Sequence, residues 1–152
     1  IGDYHFHGAQ VSYYFGPQRR ASGNVTFQFG GFYDGTIRAV TLSGARLTIL
    51  SQWSLEPSVS INHIELPYGE FTTELFRART DYSFSPRMFS SALLQYNSTD
   101  ASFSSNLRFR WEYLPGSELF VVYTDERDTH FAGFPALKNR AFVVKINRLW
   151  RF

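Results

Sequence analysis

Three groups of side chains have types and spacing suited to chemistry. The largest is a set of charges at alternate positions: Arg77 and Arg79 followed by Asp81, then Arg108, Arg110 and Glu112. A guanidinium is permanently charged and grips carboxylate or phosphate through a planar fork. Rows of arginine on one wall therefore suit either the tuning of a solute path or the plain filling of a hydrated interior with arginine–acid ladders. The second group is Asp3, His5 and His7, whose two-residue spacing puts them on one face of an extended strand, as a metal site would want. No third or fourth protein ligand of the usual kind follows, and histidines at an interface within an aromatic strand explain the same spacing. The third is Asp125, Glu126, Asp128 and His130, suited to calcium or acid–base chemistry and equally to a solvated loop. Cysteine is absent, which removes disulfides and thiolate metal sites. No catalytic residue, metal or cofactor is expected.

The elements that must position these groups are strands, because alternation prevails and helical periodicity is scarce. From Phe103 to Tyr113 one face carries Phe103, Ser105, Leu107, Phe109, Trp111 and Tyr113, and the other Ser104, Asn106, Arg108, Arg110 and Glu112. Leu55, Pro57, Val59 and Ile61 alternate with Glu56, Ser58, Ser60 and Asn62. Phe76, Ala78, Thr80, Tyr82 and Phe84 alternate with Arg77, Arg79, Asp81 and Ser83, and Val25, Phe27 and Phe29 with Asn24, Thr26 and Gln28. About nine strands of membrane-spanning length, roughly 9–11 residues each, are expected near 4–15, 22–33, 35–49, 53–65, 71–84, 88–97, 102–113, 118–124 and 140–152. The rings in RFRWEY fall on the face opposite the arginines, whereas base stacking would need them together. Nucleic acid is not an expected partner.

Composition says which solvent the oily faces meet. The 152 residues hold 16 Phe and 9 Tyr, with 15 basic against 13 acidic side chains, so no strong field for a polyanion is implied. A soluble core of this size would not easily hide so many rings, whereas aromatic girdles at two membrane interfaces use them directly. No apolar run approaches the roughly 20 residues of a spanning helix. The chain opens at Ile1 without a signal peptide and is read as a mature or truncated product of secretion. One set of connections is compact: Gly16-Pro17, Leu50-Ser51-Gln52, Ser85-Pro86-Arg87 and Leu114 to Ser117. The other includes Asp34-Gly35, a tight hairpin signal, Leu66 to Glu70, Asn97 to Ala101, and a long stretch from Asp125 to Asn139. Barrels carry short periplasmic turns and longer external loops, which places the carboxyl end in the periplasm.

That end reads AFVVKINRLWRF, with Phe142, Val144, Ile146, Trp150 and Phe152 on one face and Arg148 interrupting. An amphipathic strand with a free edge and a terminal aromatic residue is what a barrel-assembly machine pairs with. The blocks FGPQRRASG, LPYGEFTTEL, SPRMFSSALLQYNS, SSNLRFRWEYLPGSELFVVYTDERDT and NRAFVVKINRLWRF together resemble a family of large bacterial outer-membrane proteins. Its members have an N-terminal domain similar to carbohydrate-binding module family nine and a C-terminal barrel without an assigned role. The resemblance runs from about Tyr4 to Phe152 and implies that the chain is the end of a larger barrel. The sugar-binding domain has no counterpart here, and no catalytic residue is carried over.

The expected fold is all-β: an antiparallel up-and-down transmembrane β-barrel, in part. The expected function is non-enzymatic, in solute passage or surface carbohydrate handling. Arg77, Arg79, Arg108, Arg110 and Glu112 would line the lumen. The alternatives are an outer-membrane enzyme with a rim site at Asp125 to His130, and a soluble barrel with an oily interior for a small apolar ligand. Expected partners are outer-membrane lipid, the assembly machinery, and upstream strands or another chain. The last follows from the resemblance and from parity: single-chain bacterial barrels usually close with even strand counts, so either upstream strands are missing or the first segment is not a strand and eight remain.

Overall fold

The computed structural model describes residues 7–131, 133 and 135–150. Alternating residues with turn formers between them fold into nine strands: β1 Gly8–Phe15, β2 Ala21–Phe32, β3 Gly35–Leu50, β4 Trp53–Leu66, β5 Gly69–Ser85, β6 Met88–Asn97, β7 Ser102–Leu114, β8 Ser117–Asp128 and β9 Ala136–Asn147. Each pairs antiparallel with its sequence neighbour, in the order β1 to β9. β1 and β9 are not paired with each other, so the sheet is open. No helix among the described residues is long and apolar enough to cross a membrane, which says nothing of crossing by strands.

Register sorts the side chains onto two faces, because paired residues in antiparallel strands project to the same side. One row runs Val11, Phe27, Val40, Ile61. Another runs Val59, Phe76, Tyr96, Phe103, and a third Ser90, Phe109, Val121, Val144. These rows form an oily face. The reverse face carries rows such as Ser12, Thr26, Thr41, Ser60 and Asp81, Ser91, Arg108, Val122.

Nothing covers the oily face. Among the described residues the only buried hydrophobic side chains are Ala39, Ala45 and Ile64, while Val11, Phe27, Phe29, Phe76, Trp111 and Val144 are exposed. The accessible surface of the 17.6 kDa chain is 11323 Å², against about 7,900 Å² for a compact monomer of that mass. The excess is that of a single sheet with both faces bare, and soluble monomers seldom leave a broad apolar face open.

Two features depart from the sequence reading. β8 continues to Asp128 and β9 begins at Ala136, so the expected loop from Asp125 to Asn139 shrinks to 129–135. Its ends are zipped by pairs such as Asp125 with Arg140 and Glu126 with Asn139. This falls below the roughly 12 residues at which a loop becomes unusual, and the length argument for orientation weakens with it. β9 also stops at Asn147, short of Trp150. Tyr113 Oη donates to the Asn147 carbonyl at 2.9 Å, and the Leu149 N–H donates to the buried Ser117 Oγ at 3.0 Å. The chain is thus drawn onto the β7–β8 turn. Phe142, Val144 and Ile146 share the oily face through Tyr123, Val121 and Leu119. Trp150 lies past the strand under the Arg148 guanidinium, 4.1 Å from its ring centroid, and Phe152 is outside the described residues.

Asp34-Gly35 marks a hairpin as expected, with an altered division of labour. The two-residue turn is 33–34, and Tyr33 takes the left-handed conformation, φ 51°. Gly35 is the first residue of β3, and a side chain there would collide with the backbone carbonyl of Glu65.

Candidate functional site

The polar face is where the charged residues converge. On β5, Arg77 pairs across with Ser58 and Gln95, Arg79 with Glu56 and Leu93, and Asp81 with Ser54 and Ser91. On β7, Asn106 pairs with Leu93 and Thr124, and Arg108 with Ser91 and Val122. Arg77, Arg79, Arg108, Arg110 and Glu112 therefore share one face, as alternation required.

Their chemistry differs. Arg110 is neutralised: it ion-pairs with Glu118 and sits 5.6 Å from the Phe89 and 5.8 Å from the Phe120 ring centroids, where the faces of both rings favour a cation. Glu112 accepts the Gly116 N–H at 3.0 Å and so braces the β7–β8 turn, in which Gly116 has φ 76°. Arg110 thus has its charge balanced, and Glu112 is committed to the turn. Arg79 gives its Nε to Asp81 Oδ2 at 3.1 Å and one Nη to the same carboxylate. Arg108 gives its Nε to Asn106 Oδ1 at 2.9 Å, and Asn106 is itself held by donating to Thr124 Oγ1 at 2.8 Å. Arg108 has no acidic partner among the described residues, and Arg77 has neither an ion pair nor a hydrogen bond among them.

Two depressions meet at this cluster. One, of about 100 Å³, is lined by Arg77, Arg79, Ser91, Leu93, Asn106 and Arg108. The other, of about 500 Å³, draws on Tyr14 of β1, Arg46 of β3, Glu56 and Ser58 of β4, and Arg77 and Arg79 of β5. Strands lie about 4.8 Å apart, so β1 and β5 would stand about 19 Å apart on a flat sheet. The depression therefore runs across several neighbouring strands of the polar face.

Arg46 and Glu56, 3.7 Å apart, belong to this wall, and Arg46 was missed in the sequence reading. Leu42 pairs with Val59 and Leu47 with Leu55, all on the oily face, yet Leu42 and Leu47 are an odd number of residues apart. A bulge between them absorbs one residue, with Gly44 at φ 58°, and turns Arg46 to the polar side. The odd spacing with Ser43-Gly44-Ala45 between was the available signal.

On the oily face, a charged belt borders the apolar rows at the end of the sheet holding 33–34 and 129–135. Arg38 and Glu65 lie 3.8 Å apart. Asp125, 4 % exposed, accepts from Arg127 Nε at 2.6 Å, Arg140 Nε at 3.0 Å and Tyr123 Oη at 3.0 Å.

The acid–base group on which the rim-enzyme alternative rested is dispersed. Asp125 is engaged by those three donors, Glu126 points to the opposite face and lies 3.8 Å from Lys138, and Asp128 accepts the His130 N–H at 2.8 Å. Among the described residues no three His, Asp or Glu side chains are grouped to hold a metal ion. Of the histidine set, Asp3 and His5 lie outside the described residues, and the His7 carbonyl accepts the Gly31 N–H at 2.9 Å. Comparison of the chain with protein-family models, with curated proteins and with solved structures gives no match in any of the three.

Proposed function

We propose that the chain forms part of the wall of a bacterial outer-membrane β-barrel, with the oily face in lipid and the arginine-bearing face toward a water-filled interior through which solutes pass. The observation that carries this reading is an uncovered apolar face of membrane height backed by a polar one. The oily rows extend from Trp53 to Ile61 on β4, Phe76 to Phe84 on β5 and Phe103 to Trp111 on β7. Each run is eight residue steps, about 26 Å along the strand at about 3.3 Å per residue; at the tilt of roughly 40° usual in such barrels it rises about 20 Å, most of their apolar band of about 25 Å. The charged belt of Arg38, Glu65, Asp125, Arg127 and Arg140 then sits where headgroups and water begin.

Further strands, from the same polypeptide or another chain, complete the wall at β1 and β9. Edge N–H and C=O groups left in hydrocarbon cost several kcal/mol each, so in a bilayer the open edges of β1 and β9 pair with further strands, those of a second copy when the chain is studied alone. Phe142, Val144 and Ile146 supply the apolar face of the strand offered to the assembly machinery. The reading is tested by refolding the chain from denaturant with and without lipid vesicles. Partition into vesicles with gain of β-structure is expected, together with aggregation in buffer alone; a soluble, folded monomer in buffer would contradict it.

A further inference from the structure

We propose that the polar wall contains an oxyanion subsite, formed by Arg77, Arg79 and Arg108, that takes the phosphate or carboxylate group of a small solute. The proposal rests on the reading of this face as hydrated wall and names the class of solute it would favour.

Some cations of this face are already satisfied by acids of the chain. Arg46 has Glu56 and Arg110 has Glu118, so neither presents net charge. Around the smaller depression the balance differs. Arg77, Arg79 and Arg108 contribute three positive charges and Asp81 one negative charge, paired with Arg79. Arg77 keeps every donor, and both Nη groups of Arg108 are unused because only its Nε is bonded.

Arg79 and Arg108 are also oriented in advance. Asp81 fixes the first through its Nε edge, and Asn106, held by Thr124, fixes the second. Anchoring a guanidinium at Nε leaves its outer edge aimed away from the anchor, and less rotamer freedom is lost when an anion docks. Ser91 adds a neutral hydroxyl donor in the same depression. Guanidinium–oxyanion bonds are charge-assisted and fork-shaped, so the arrangement selects a group with two or more coplanar or tetrahedral oxygens over a halide.

Inorganic phosphate is the probe, titrated calorimetrically into the full chain folded in detergent micelles, with succinate in parallel. Saturable binding of at least one is expected, with affinity falling as sodium chloride rises. Arg77→Gln with Arg108→Gln should weaken it roughly tenfold or more, on the scale of losing charge-assisted bonds. Lys145→Gln, on the same face at the sheet edge, should leave it unchanged. Should the double variant not fold, Arg77→Gln alone serves, because that side chain has no described partner to lose. Absence of saturable binding by the unmodified chain, or equal affinity in the variants, overturns the subsite. Quenching of Trp53 and Trp111 fluorescence by brominated lipid reads the membrane placement separately. Quenching without phosphate or succinate binding removes the subsite alone, and binding without quenching removes the membrane reading alone.

Discussion

Phe109 and Asn106 stand three positions apart on one strand and project to opposite faces, so under the proposed function the same substitution at each meets a different solvent. Phe109 pairs with Ser90 and Val121 among exposed apolar rows, whereas Asn106 pairs with Leu93 and Thr124 beside Arg108. An arginine facing lipid near the midplane costs about 2–4 kcal/mol. Phe109→Arg is therefore expected to lower unfolding free energy in vesicles by that amount, and Asn106→Arg by much less, measured by urea titration of tryptophan fluorescence. Equal penalties would contradict the assignment of faces. At this scale alternation in the sequence identified the shared face of Arg77, Arg79, Arg108, Arg110 and Glu112, because a strand fixes side-chain direction by parity alone. It left open which of them are free, because pairing of Arg110 with Glu118 and of Glu112 with the Gly116 N–H depends on partners across a hairpin and on rotamers that parity does not set.

β8 and β9 show where element reading by pattern loses its signal. Within the apolar band, Leu119, Val121 and Tyr123 alternate with Glu118, Phe120 and Val122, and the strand is legible. Beyond Tyr123 the oily-face positions become Asp125 and Arg127, yet pairing continues to Asp128. The backbone ladder runs on after the apolar pattern ends, and a hydrophobic period reports only the surroundings of the side chains. The Gly44 bulge hid Arg46 for a related reason, since one added residue inverts the phase of every later position on the strand. β8 is hydrogen-bonded on both sides, so the amides of residues 124–128 are expected to be protected from hydrogen exchange at levels like those of 119–123. Exchange at the rate of an unstructured loop would restore the longer connection that the sequence suggested.

For the whole molecule, the meander of nine antiparallel strands follows from short connections, since a two-residue turn leaves adjacent antiparallel pairing as the near-obligatory outcome. Openness was legible through parity and the resemblance, both of which concern what such barrels permit, whereas the free outer edges of β1 and β9 among the described residues are direct. The central claim is that the oily face is the outer one and meets lipid. The chain has no cysteine, so Phe109→Cys and Asn106→Cys each give a unique thiol for a spin label. The decisive measurement is the collision rate of each label, in vesicles, with oxygen, which concentrates in lipid, and with a water-soluble nickel complex. A label at 109 favouring oxygen and one at 106 favouring nickel is the expected result. The reverse order, or nickel dominating at both positions, would contradict the account.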